Sequence, residues 1–533
     1  MMKIFGTRQT GFYVALIFAL ALSIRLFNIF GMGLFHWDSG YYVGTALWLI
    51  GHGGMPYPWE PPVYSAFVSL GFLILGIHDW VAVLVSALFG ALTVILAYLI
   101  GKELFDLKTG LVAALFLAIS QIHIIYSRMA LTDSAFTFFF VMSLLLFIYS
   151  IKRQKIRLYA IYGIALGITQ NVKYNGFMAF IIPVIFLAAY YAYVKYAGKR
   201  VKLDFFLAFK GMVIAFLIMV LMHVPWIFAL GVGDYAKEAG SLSMESVFSQ
   251  LASGNLISIF SRGINLYMSL FLENKAGLLF VPSELLFYPY LILFWTSPAL
   301  ILCFILSFTG RMKKEMAFLL IWFAFFFAFF SAGYKAGRVI LPAIPAFSLI
   351  SAVGAIRLAN ILKRNFIRKI NGGQALGLII IMVCLASVPS VLNAVSYAHD
   401  GYRQAGTFLK ENVDKGQYIF TTGGPQIRFY YPDGAWWKFC ENVSSNEISY
   451  FVTDYIQYRY SENYMQYIGE IKNSSELVAS FYNHVVVIES PEDTFKNRLN
   501  DDFYKIEIYK IGDDSKKYLS FLDEYKKVAC TEL

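Results

Sequence analysis

Two aspartates and a handful of cations stand where long apolar runs of this chain give way to short loops. Asp38 lies in Phe35-His36-Trp37-Asp38-Ser39-Gly40-Tyr41-Tyr42, and Asp133 closes Ser127-Arg128-Met129-Ala130-Leu131-Thr132-Asp133. An acid bracketed by aromatics at the mouth of a membrane segment is costly without water or a polar partner, which makes it a functional candidate. The cations that share such positions are Arg128, Lys173, Lys335 and Arg338, and Glu60 precedes the paired prolines Pro61-Pro62. A carboxylate can take the proton of an attacking hydroxyl or amine, while Arg or Lys neutralises a departing phosphate. Such a set suits the displacement of a lipid-linked phosphate at a membrane surface, the lipid tail staying in the bilayer.

Each residue also has a plainer role open to it. Asp38 could cap a helix that starts near Ser39, and Asp133 could cap the next apolar segment while pairing locally with Arg128. Lys173 could snorkel at a helix end, Lys335 and Arg338 could anchor lipid headgroups, and Glu60 could hydrogen-bond a turn.

The elements that must position these residues are membrane spans. The chain is 58% hydrophobic, 18% aromatic and only 15% charged over 533 residues, with a mean hydropathy of +0.60. A soluble domain of that composition would expose apolar surface, so a polytopic α-helical membrane protein is expected. Apolar runs occur at 11–31, 78–101, 109–126, 133–151, 158–172, 174–194, 208–230, 286–308, 316–332, 339–357 and 375–396, giving about eleven transmembrane helices. The first is too long for a signal-peptide core and is read as a retained span. The net charge of +10 comes from short basic runs between the spans, which set topology and give no nucleic-acid signal.

Those basic runs are Lys3 and Arg8; Lys102 and Lys108; Lys152 to Arg157; Lys195 to Lys202; Arg311 to Lys314; and Arg357 to Lys369. By the positive-inside rule they are cytoplasmic, which puts the N-terminus inside and the C-terminal tail outside. Asp38, Glu60, Arg128, Asp133, Lys173, Lys335 and Arg338 then all emerge on the outer face, although the rule counts no acids. Two outer loops are long, 32–77 and 231–285, with interfacial helices expected at 42–50, 63–75, 244–252 and 256–272.

At about residue 397 the composition turns polar. The transmembrane domain is thus 1–396, and 397–533 reads as a soluble extracytoplasmic α/β domain. In it, helical patterns at 402–413 and 475–483 alternate with strand-like runs at 418–422, 450–453 and 485–488. Of the four cysteines, Cys303 and Cys384 fall in apolar runs, and Cys440 and Cys530 could pair in an oxidising compartment.

In the order and spacing of its motifs the chain resembles the GT-C glycosyltransferases. The likeness is to the branch of the protein O-mannosyltransferases and the aminoarabinose transferases that modify lipid A. It is carried by Trp37-Asp38-Ser39-Gly40-Tyr41-Tyr42, Glu60-Pro61-Pro62-Val63-Tyr64, Tyr126 to Asp133, Val172-Lys173-Tyr174-Asn175-Gly176 and Lys335-Ala336-Gly337-Arg338-Val339-Ile340-Leu341-Pro342. The resemblance implies a multi-pass cell-membrane enzyme moving a sugar from a polyprenyl-phosphate donor to an extracytoplasmic protein, lipid or glycan. It implies Asp38 as the catalytic acid-base residue and Asp133 as its support. Arg128, Lys173, Lys335, Arg338, Glu60 and Tyr42 are then candidates for the donor phosphate or substrate. The chain has Ser39 where the family often has Glu, and Glu60 where it often has Lys or His. A divalent metal is left open, with His36 and Asp38 as the residues that could serve it, and no other cofactor is expected. The rival reading is a transporter or flippase of lipid-linked sugars, against which stand the placement of charge at one face and the absence of related halves.

Overall fold

The computed structural model describes residues 8–53, 61–198, 201–238, 261, 286–310, 312–331, 336–365, 371–397, 400–414, 417–421, 424–432, 435–436, 448–454, 462–483, 505–516 and 518. Every apolar run read from the sequence carries helix. In chain order these are α1 (Arg8–Leu26), α2 (Trp37–Leu49), α3 (Val63–Leu75), α4 (Asp79–Leu104), α5 (Leu107–Ala118), α6 (Gln121–Ser127), α7 (Thr132–Arg153), α8 (Ile156–Val172), α9 (Met178–Tyr196) and α10 (Phe205–Glu238). They continue with α11 (Phe287–Trp295), α12 (Pro298–Leu306), α13 (Lys314–Ser331), α14 (Ile344–Asn365) and α15 (Gly372–Val395). Among the described residues eight helices are long and apolar enough to cross a membrane, or ten if each bent pair is one span. The chain is a multi-pass membrane protein. The 17-residue α8 is shorter than these, about 26 Å at 1.5 Å per residue.

Two expected spans are not straight. The run 109–126 is divided into α5 and α6, bent by 60°, and 286–308 into α11 and α12, bent by 116°. Apolar length cannot show a bend, but proline can. Pro298 opens α12, where its missing N–H costs nothing and its ring excludes a continuous helix through Ser297. The α12 backbone then lies against α14 so closely that a Cβ on Gly354 would meet the Cys303 carbonyl oxygen at 1.7 Å. Helices α4 and α5 meet in the same manner, where a Cβ on Gly101 would lie 2.7 Å from Gly110 Cα.

The basic loops gather at one end of the bundle. Lys152 lies 3.5 Å from Glu103, and the Gln154 side chain donates to the Lys202 carbonyl at 2.8 Å and accepts from the Asp204 N–H at 2.8 Å. The 26-residue α4 separates that end from the other by about 39 Å.

The C-terminal domain sits at the other end. It comprises α16 (Gly401–Asn412), β1 (Tyr418–Thr421), α17 (Gly424–Tyr430), β2 (Ala435–Trp436), β3 (Ile448–Thr453), α18 (Glu462–Ser474), β4 (Glu476–Tyr482), β5 (Lys505–Lys510) and α19 (Asp513–Lys516). The sheet order is β2-β1-β3-β5-β4, parallel among β1, β2 and β3 and antiparallel from β3 to β5 to β4. The helix expected at 475–483 is strand β4 instead. Leu477, Ala479 and Phe481 alternate along it and β5 supplies the ladder, so tertiary pairing overrides a short helical pattern. The strand run 485–488, the interfacial helix 244–252, all of 256–272 except Ser261, and the pair Cys440 and Cys530 lie outside the described residues.

Glu507 on β5 takes Lys472 at 2.7 Å and Lys505 at 3.3 Å, and the Tyr509 hydroxyl donates to it at 3.0 Å. Burial alone would raise its pKa, but these donors, led by Lys472, hold the carboxyl below its usual range. A depressed folded-state value contributes stability that is present above the unfolded-state value and lost as pH falls through the folded one. The melting-temperature gap between wild type and Glu507→Gln should therefore be widest near neutrality. It should close as pH drops below about 4, and a gap constant from pH 7 to 3 would contradict the assignment.

Candidate active site

Asp38 is the second residue of α2, and it does not cap that helix. His36 does so, its Nδ1 accepting the Asp38 N–H at 3.0 Å. The Asp38 carboxylate is thereby left for another partner. Its Oδ2 accepts from the Arg338 guanidinium at 2.5 Å, across 300 positions of sequence. The Asp38 side chain is 18% exposed and that of Arg338 12%, open enough for a ligand to reach and dry enough for charge to count.

Arg338 is delivered by a 3-10 segment, Gly337–Ala343, that leads into α14. The Trp322 indole donates to the Pro342 carbonyl at 2.9 Å, and the Tyr288 hydroxyl to the Ala336 carbonyl at 3.4 Å. Both contacts hold the segment against the bundle.

Asp133 is likewise the second residue of its helix, α7, and Lys173 immediately follows α8. Because α7 leaves this end of the bundle and α8 returns to it, the two meet, Lys173 Nζ lying 2.8 Å from Asp133 Oδ1. Both are buried, and Asp133 Oδ2 takes no hydrogen bond from any described residue. Tyr42, one turn beyond Asp38, accepts from the Thr132 hydroxyl at 3.4 Å and packs edge-on against Tyr64 with ring centroids 5.5 Å apart. Tyr42 thus links the helix of Asp38 to the start of the helix of Asp133, and the two acid–base pairs are neighbours at the end of the bundle opposite the basic loops.

Arg128 is spent elsewhere. Its guanidinium donates to the carbonyls of Ile24, Arg25 and Phe27 at 3.3, 3.1 and 2.6 Å, groups that the end of α1 leaves without helical partners. It makes no local ion pair with Asp133 among the described contacts. Arg128→Gln should lower the melting temperature of the detergent-solubilised protein through loss of about 2–3 kcal/mol, with donor KM little changed. A raised KM at an unaltered melting temperature would instead make Arg128 a ligand of the donor.

Glu60 and Lys335 lie outside the described residues. Among those described, no three His, Cys, Asp or Glu side chains converge as metal ligands, and the Nδ1 of His36 is engaged as the cap of α2.

Sequence reading missed Arg25, which is wholly buried in α1. It donates to the Ala21 and Ala118 carbonyls at 2.9 and 3.3 Å and bonds His123 Nδ1 at 2.7 Å. Ala118 ends α5, so Arg25 satisfies a carbonyl exposed by the break between α5 and α6. The signal was present, since arginine inside an apolar run is rare without a purpose.

Known proteins place this architecture. Residues 59–226 match the family described as dolichyl-phosphate-mannose-protein mannosyltransferase. An uncharacterised protein of Aquifex aeolicus (strain VF5) is 26% identical over 297 residues, which are 55% of this chain and 52% of that one, so the match spans about half of that relative's length. Among solved structures, ArnT from Cupriavidus metallidurans bound to undecaprenyl phosphate aligns over 95% of this chain and 99% of its own at 13% identity, with a TM-score of 0.57. The archaeal oligosaccharyltransferase AglB from Archaeoglobus fulgidus, in complex with an inhibitory peptide and a dolichol-phosphate, aligns over 93% of this chain and 76% of its own at 15% identity, with a TM-score of 0.56. The chain has the fold of the GT-C membrane glycosyltransferases. The resemblance read from its motifs holds at the level of fold, and the mannosyltransferase match is confined to residues 59–226.

Proposed function

We propose that this protein is a membrane glycosyltransferase that moves a sugar from a polyprenyl-phosphate donor to an acceptor outside the cytoplasm. The observation that carries the reading is the Asp38–Arg338 pair at 2.5 Å, beside the buried Asp133–Lys173 pair. The acceptor hydroxyl or amine attacks the anomeric carbon as the bond from that carbon to the phosphate oxygen breaks, and the electron pair leaves with the phosphate. Asp38 takes the acceptor's proton. Arg338 orients Asp38 through one nitrogen, and its positive charge offsets the charge that gathers on the departing phosphate. Asp133 is held by Lys173 through Oδ1 and offers Oδ2 to a hydroxyl of the sugar or acceptor. Lys173 supplies positive charge beside it, and Tyr42 fixes the spacing between the two pairs. Arg128 receives no phosphate-binding role, because carbonyls occupy its guanidinium.

This reading is supported by the fold, by the mannosyltransferase match over residues 59–226 and by the polyprenyl phosphates bound in ArnT and AglB. The outer-face placement rests on the positive-inside rule and on the collection of the basic loops at the opposite end. A transporter would place such charges near the midplane of broken helices, whereas both pairs lie at one end.

The test is purified protein in lipid with a panel of polyprenyl-phosphate sugars, with and without a cell-envelope extract, followed by mass spectrometry. Sugar lost from the carrier and gained by an extract component supports transfer. Movement of intact lipid-linked sugar between leaflets, with no loss from the carrier, would replace this reading by the flippase.

A further inference from the structure

The residues that lead into the helix of Asp38 are buried without belonging to any long helix or sheet. Met32, Leu34, Phe35 and His36 are each at most 2% exposed, and backbone polar groups so placed must find partners. They find them in the C-terminal domain. Arg403 of α16 donates to the Phe30 and Met32 carbonyls at 2.8 and 2.9 Å, Gln426 of α17 lies 3.4 Å from the Phe35 carbonyl, and the Leu34 N–H donates to the Tyr430 hydroxyl at 2.8 Å.

These contacts converge on Asp79, the first residue of α4. The Tyr430 hydroxyl donates to Asp79 Oδ2 at 2.7 Å, and Arg403 reaches the same oxygen from Nε at 2.8 Å and from a terminal nitrogen at 2.7 Å. The Trp80 N–H donates to Oδ1 at 2.8 Å. Asp79 is 7% exposed, so its charge is matched inside the interface. Burial and the nearby carboxylate push the Tyr430 hydroxyl well above its ordinary pKa, and it remains a donor at any working pH. For Arg403, burial acts downward, but Asp79 more than offsets it and holds the guanidinium above its ordinary value.

We propose that Asp79, Arg403 and Tyr430 form a latch through which the C-terminal domain fixes residues 30–36 and thereby positions Asp38, making the three positioning residues for the transfer reaction. The proposal rests on the reading of Asp38 as the base. A domain held only by its surface would leave the strand of residues before Asp38 free to shift, and a displacement of about 1 Å at a reacting group can cost on the order of a hundredfold in rate.

Two variants that preserve size, Tyr430→Phe and Asp79→Asn, test it in the full chain reconstituted in nanodiscs. Hydrogen exchange should speed up by roughly tenfold or more over residues 29–49, with residues 132–153 and 344–365 unchanged. Donor turnover should lose ten- to a hundredfold in kcat with KM within about twofold, and Arg403→Lys should retain more activity than Arg403→Gln. Unchanged exchange over 29–49, or an equal rise throughout the bundle, would overturn the latch. A higher KM at constant kcat would overturn the positioning of Asp38. If wild type turns over no donor, the transferase reading fails, while the exchange result still decides whether the latch orders this loop.

Discussion

Asp38→Asn should reduce the release of sugar from its polyprenyl-phosphate carrier by about a hundred- to ten-thousandfold, the range that general-base catalysis supplies. The side chain keeps its size and still offers an oxygen to Arg338, so α2, capped by His36 rather than by Asp38, should form as before. Donor KM should stay within a few-fold, because the substitution removes proton transfer and not the guanidinium that faces the phosphate. Asp38→Glu makes the complementary point. It restores a carboxylate but moves it along the chain by about one methylene, and recovery should be partial, since misplacement by about 1 Å is enough to lose much of the rate. Paired kcat and KM measurements on both variants decide the matter. A loss in Asp38→Asn smaller than about tenfold would take proton transfer away from Asp38.

Asp38 and Asp133 stood out in the sequence as candidates because an acid beside an apolar run is expensive and seldom accidental. Their partners were legible only as types. Arg128, Lys173, Lys335 and Arg338 look alike in a charge count, and no spacing rule connects Asp38 to a residue 300 positions away. What separates them is the three-dimensional fate of each donor: Arg338 meets a carboxylate, Lys173 meets another, and Arg128 meets carbonyls at the end of α1. Apolar length likewise located the helices without their bends, although Ser297-Pro298 carried the stronger of the two. In the C-terminal domain, β1 and β3 were visible as β-branched and aromatic runs. Strand β4 was not, because its pairing with β5 is non-local. Asp79, Arg403 and Tyr430 are common types in unremarkable contexts, and only their convergence gives them a role.

Lys173→Met should destabilise the protein more than any other single change at the site, and the double variant Asp133→Asn/Lys173→Met should recover much of that loss without recovering activity. In the wild type the two charges lie 2.8 Å apart, 10% and 3% exposed, and each satisfies the other. Removing the lysine alone leaves a carboxylate buried with Oδ1 stripped of its partner and Oδ2 already without one among the described residues. Breaking one side of such a pair costs about 3–5 kcal/mol. Replacing both charges removes the unpaired group and with it most of the penalty, for which there is no need to restore the original ion pair. If the pair served only to join α7 to α8, the double variant would regain turnover together with its melting temperature. If Asp133 and Lys173 act on substrate, stability returns and turnover does not. Thermal unfolding in detergent, measured beside donor turnover for wild type, both single variants and the double, separates these outcomes. The cycle also reports the coupling between the two residues directly, because neither single variant can be read without the charge it strands.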